Sequence, residues 1–149
     1  RPADGNGDGA RSCDIGAVEF YPIVDSLVSL DAVSFHSFGP GDAGVPALPF
    51  APAGIFRIGG LFSNASGKNI CNVAFQVTQL SSPNVMIDNL GNLLGGVGTI
   101  LRPAVPFEVK DISNGGEGKF VFTIGLGSSS QFSFFVNMLG DPSFGSCPP

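Results

Sequence analysis

Lys119-Phe120-Val121-Phe122-Thr123-Ile124-Gly125-Leu126-Gly127 puts Phe120, Phe122, Ile124 and Leu126 on every second position. Successive side chains of an extended strand point to opposite faces, so a period of two marks a strand buried on one side. Three further stretches repeat the pattern. Phe56, Ile58, Gly60 and Phe62 share one face of GIFRIGGLFS (54–63). Cys71, Val73, Phe75 and Val77 share one face of ICNVAFQVTQL (70–80), with Asn72, Gln76 and Thr78 opposite. Phe132, Phe134, Val136 and Met138 line one face of QFSFFVNML (131–139), and Phe135 points the other way.

Weaker strands are expected at Val85–Leu90, Gly98–Arg102 and Pro106–Lys110, each bounded by Gly, Asn, Ser or Pro at sandwich-like intervals. Gly16–Tyr21 and Ser26–Phe38 are short extended candidates separated by Pro22. Between Gly39 and Gly54 the text GPGDAGVPALPFAPAG forbids regular structure and reads as a crossing loop. No helical periodicity exceeds a turn. The economical fold is an antiparallel two-sheet β-sandwich of about eight strands with an extended N-terminal segment. Its organisation reads as a polar Asp/Gly-rich loop and strand over 1–21, a strand-like segment with a Pro/Gly-rich connection over 22–53, and the sandwich over 54–149.

Composition narrows the function. The chain has 149 residues, enough for one domain with a real core, with 22 Gly, 12 Pro and only 13% charged residues. A net charge of −5 offers no basic surface for phosphates, which sets aside nucleic acid and anionic membranes. No apolar run is long enough to span a bilayer as a helix. The start at Arg1 without methionine reads as part of something longer. Cys13, Cys71 and Cys147 fit no zinc spacing, so a disulfide is expected, and all three pairings are open. The preferred bond joins Cys71 on a core strand to Cys147 in the tail, leaving Cys13 free or paired with another chain. Asn64-Ala65-Ser66 is a candidate glycosylation sequon.

Two segments carry resemblances. Asp8-Gly9-Ala10-Arg11-Ser12-Cys13-Asp14-Ile15-Gly16-Ala17-Val18-Glu19-Phe20 resembles the closing motif of secreted bacterial parallel β-helix surface proteins, which would make residues 1–21 the tail of a β-helix. From about Ala53 to Pro142 the chain is similar to an immunoglobulin-like bacterial surface domain. The pieces that carry this are Phe56-Arg57-Ile58 through Phe62-Ser63-Asn64-Ala65-Ser66, then Phe75-Gln76-Val77-Thr78-Gln79-Leu80, then Phe132 through Pro142. The second resemblance implies an extracellular or cell-surface immunoglobulin-like sandwich acting as a spacer or adhesive module, with no catalytic residues. Cys71 and Cys147 are not part of that pattern.

Candidate chemistry is sparse. The single histidine, His36, lies in strand-like text where it most simply faces solvent, and no Gly-x-Ser-x-Gly elbow is present. Glu19, Glu108 and Glu117 offer carboxylate pairs of the kind any acidic protein has. The 14 Phe fall mostly on inward strand faces, and the absence of Trp argues against a sugar-stacking platform. Asp4-Gly5-Asn6-Gly7-Asp8-Gly9 matches the start of a calcium loop, with Asp4, Asn6, Asp8 and Asp14 as candidate ligands, but Ile15 stands where an EF-hand places Glu. Carbonyls, water or Glu19 would have to complete such a site. The bland reading is a solvated turn. The expectation is therefore a non-catalytic extracellular structural module of a bacterial surface protein, self-assembling by strand complementation with other copies or joining other surface proteins. A calcium-dependent adhesin or carbohydrate-binding module is the alternative.

Overall fold

The computed structural model describes residues 22–42, 47–104 and 108–149. The calcium-loop residues Asp4, Asn6, Asp8 and Asp14, together with Cys13, Glu19 and the Gly16–Tyr21 strand candidate, lie outside the described residues.

The chain is an all-β sandwich. A 3-10 turn at Asp25–Leu27 leads into β1 (Val28–Phe38), β2 (Gly54–Asn64), β3 (Asn69–Leu80), β4 (Val85–Ile87), β5 (Leu93–Gly95), β6 (Ile100–Leu101), β7 (Glu117–Leu126) and β8 (Phe134–Ser143). One sheet has the order β1-β2-β7-β4-β5, the other β6-β3-β8, and every pairing is antiparallel.

The alternating strands supply the core as their pattern requires. Phe120, Phe122, Ile124 and Leu126 from β7 meet Val73, Phe75 and Val77 from β3 and Met138 from β8, with Phe56, Ile58, Phe62, Phe132, Phe134 and Val136 packed around them. Phe75 is the hub, its ring 4.8 Å from that of Phe120, 4.9 Å from Phe122 and 5.5 Å from Phe62, mostly edge-on. Burying each such side chain contributes about 2–3 kcal/mol, and edge-to-face contact adds about 1 kcal/mol.

Cys71 departs from the expected face. β3 carries one extra residue between Cys71 and Ala74, and Asn72 adopts φ 54°, a left-handed conformation that Asn tolerates. The bulge flips the parity, so Ile70 joins Val73 and Phe75 in the core while Cys71 is buried on the opposite side. A second register shift between Val77 and Gln79 likewise turns Leu80 inward.

The weaker strands are shorter than expected. Val85–Leu90 contracts to β4, and Gly98–Arg102 to the two residues of β6. In the Pro106–Lys110 candidate, Glu108–Lys110 form no strand. Lys110 instead offers its carbonyl to Val73 N, and Ile112 bridges Ile70. Strand β5 was not anticipated, because Leu93-Leu94-Gly95 is too short to show a period. The crossing loop returns to the sheet through Ala53 N, bonded to Leu126 O, and through Gly54. At Gly54 φ is 108° and a Cβ would stand 2.1 Å from Phe38 O, so the return depends on glycine.

Candidate interface: an open strand position beside β8

In an immunoglobulin sandwich, strands A, B, E and D form one sheet and C, F and G the other. Here β1, β2, β7 and β4 occupy the order A-B-E-D, and β3 and β8 the places of C and F. No described strand fills the place of G, so β8 is an edge.

Part of that edge is taken by the chain's own entry segment. Ile23 bridges Leu139, Val24 N donates to Met138 O at 2.9 Å, and Gly140 N donates to Pro22 O at 3.1 Å. The Asp25 carboxylate then accepts from Met138 N at 2.5 Å, and the 3-10 turn carries the chain across to β1. Since Met138 and Gly140 aim their backbone groups at this edge, Phe134 and Val136, four and two residues before Met138, aim theirs the same way. No described strand lies beside them.

The opposite wall is exposed as well. The five-stranded sheet is wider than the three-stranded one, and β1 overhangs, with nine of its eleven residues exposed. By register, Leu30, Val33 and Phe35 lie on the same face as Phe62, Gly60 and Ile58, which is the inner face. They are nevertheless 54%, 44% and 62% exposed. Between the overhang and β8 runs a depression of about 550 Å³ lined by Phe35, Phe56, Ile58, Phe132 and Phe134, with Ser37, Ser129, Ser130 and Gln131 at its rim. Phe56 bridges its two walls, 5.9 Å from the Phe35 ring and 5.4 Å from Phe132. The slot is apolar, uncharged and edged by backbone donors and acceptors.

The other sequence candidates lie elsewhere. His36 is exposed on the outer face of β1 opposite Arg57, in a hollow of about 610 Å³ with Ser34, Glu108 and Lys119. Arg57 lies over the Phe38 ring at 5.1 Å. The Glu108 carboxylate accepts from Ala104 N and Val121 N, which seals β7 where β4 has ended. Glu117 is exposed at the start of β7.

Cys71 and Cys147 form the preferred disulfide, with Cα atoms 5.4 Å apart. The Asp111 carboxylate lies near both sulfurs, but the thiols are bonded to each other, and Asp111 Oδ1 accepts from Asn72 N. Asn64 is not the surface acceptor that a sequon requires. It is 1% exposed, and its amide nitrogen donates to Lys68 O, Ile112 O and Ser113 O while Oδ1 accepts from Ser66 N and Oγ. A glycan on that nitrogen is incompatible with this fold.

Comparison with protein-family models, curated proteins and solved structures finds no match to the chain.

Proposed function

We propose that the chain is a non-catalytic structural module of a secreted bacterial surface protein, whose copies associate through open sheet edges. The observation that carries this is the exposed edge strand β1, nine of its eleven residues exposed, facing the Phe134–Val136 stretch of the β8 edge across an apolar slot. Proteins that stay monomeric blunt such edges with lysine, proline or a covering loop. Strand β1, VSLDAVSFHSF, has neither lysine nor proline, and its one irregularity is the bulge at Asp31, which leaves the Val33–Phe38 stretch regular. The disulfide suits an oxidising extracellular compartment, as does the resemblance to surface domains. Sedimentation velocity and negative-stain microscopy across a concentration series test the reading. Species larger than the 15.2 kDa chain that grow with concentration are expected. A single monomeric boundary at millimolar concentration would overturn it.

A further inference from the structure

We infer that the slot beside β8 receives the Gly16–Tyr21 segment of a second copy of this chain. The inference rests on the assembly reading above and names the two surfaces that meet.

Two separate features call for the same object. The backbone groups of Phe134 and Val136 face an edge with no described strand beside them, and an added strand takes up those hydrogen bonds. Across the slot, Leu30, Val33 and Phe35 present an apolar stripe on the inner face of β1 that the described residues leave about half exposed, with Phe56 touching Phe35 from one side. A strand lying against β8 covers that stripe with the side chains it turns inward. Neither feature depends on the other.

The slot also specifies its occupant. From Phe132, which lines the slot, to Val136, the last open position before Met138, it runs five residues, about 17 Å of extended chain. Its floor is aromatic and aliphatic, and its rim of Ser37, Ser129, Ser130 and Gln131 carries no charge. The guest must therefore be short and extended, with apolar alternate positions and any charge on the outward side. Gly16-Ala17-Val18-Glu19-Phe20-Tyr21 has this form, placing Val18 and Phe20 on one side and Glu19 on the other.

Direction decides which copy supplies it. The chain enters antiparallel to β8, with Pro22 beside Gly140 and Val24 beside Met138. The described entry segment occupies the edge only from Met138 to Gly140. Followed forward from Val24, the 3-10 turn leaves the edge for β1. Among the described residues the remaining slot is open, and in this inference another molecule fills it. A copy that accepts at β8 and donates at Gly16–Tyr21 makes a head-to-tail contact that does not close on itself, which builds filaments.

A complementation experiment tests this on the full-length chain. V18D/F20D disables the donor and keeps the slot; F35D, at an exposed position, disables the slot and keeps the donor. Native chain is expected to form filaments, and each variant alone to sediment as a monomer with native circular dichroism. An equimolar mixture of the two variants is expected to give a capped dimer of twice the monomer mass and nothing longer. Filaments that persist in both variants would overturn the slot assignment and leave the assembly reading intact. A mixture that stays monomeric would overturn the pairing of this segment with this slot. A native chain that is itself monomeric would overturn both readings.

Discussion

Asn64 and Asp88 show how single polar side chains hold this sandwich together where strands end. Asn64 closes β2 by tying the turn at Lys68 to Ile112 and Ser113, residues 48 and 49 positions away, from a site that excludes water. Removing it strips one hydrogen bond from each of these carbonyls, which keep Ser66 Oγ, Ile70 N and Gly116 N as donors, and takes the acceptor from Ser66 N, so Asn64→Ala is expected to cost about 1–3 kcal/mol in urea unfolding. Peptide mass spectrometry of material secreted from a glycosylating host is expected to find Asn64 unmodified. The motif Asn-Ala-Ser was legible in the sequence, but its burial was not, because the enclosing groups are distant in the chain. Asp88 is the exposed counterpart. Its carboxylate lies below the ordinary value of 3.8, chiefly because Asn92 donates to it from side chain and backbone, with Leu90 N and Gly91 N adding to the effect. A depressed folded pKa gives stability that is present above the unfolded value and is lost as pH falls through the folded one. The 88–92 loop is therefore expected to keep its amide shifts down to pH 4 and to loosen only below about 3.8, as followed by Leu90 and Asn92 amide NMR.

At the scale of elements, four strands were legible because each buries one face against the same core, so local alternation and tertiary position agree. Strand β3 shows the limit of that reading. The bulge at Asn72 moved Cys71 off the core face and Ile70 onto it, and nothing in ICNVAFQVTQL announces an extra residue that only pairing with β8 reveals. The shift has a use. Turned away from the core, Cys71 meets Cys147 and fixes the tail, which Asn69 also holds through its amide bond to Gly145 O. The disulfide closes a span of 76 residues, and on chain-entropy grounds its loss costs about 4.5 kcal/mol. C71S/C147S is expected to lower the unfolding free energy by about that amount, seen as a lower urea midpoint, and to expose the residues after Ser143 to protease, while the protease-resistant sandwich persists. The open place beside β8 was only half legible. Strand-like text near residues 16–35 suggested complementation, but which edge stands open depends on the strand order across two sheets, which no local pattern encodes.

For the whole molecule, the balance of forces at the proposed interface can be read from what lines the slot. Net charge of −5 disfavours association at low salt, yet the slot itself holds no charged group. Salt screens the repulsion between copies and leaves apolar contact and backbone pairing in place. Assembly is therefore expected to persist or increase as sodium chloride rises from about 0.05 to 0.5 M, measured by sedimentation, whereas an ion-paired interface would dissolve.

The tail disulfide has a mechanical corollary. A load applied through Pro22 and Pro149 enters at the C-terminal end, passes through the sulfur bridge at Cys147 and emerges at Cys71, so tension bypasses everything from β4 to β8. Only β1, β2 and the start of β3 stand in the path of force. Single-molecule stretching is expected to give a short extension with the bridge intact and, after reduction, an added length of roughly 250–270 Å as the shielded span pays out.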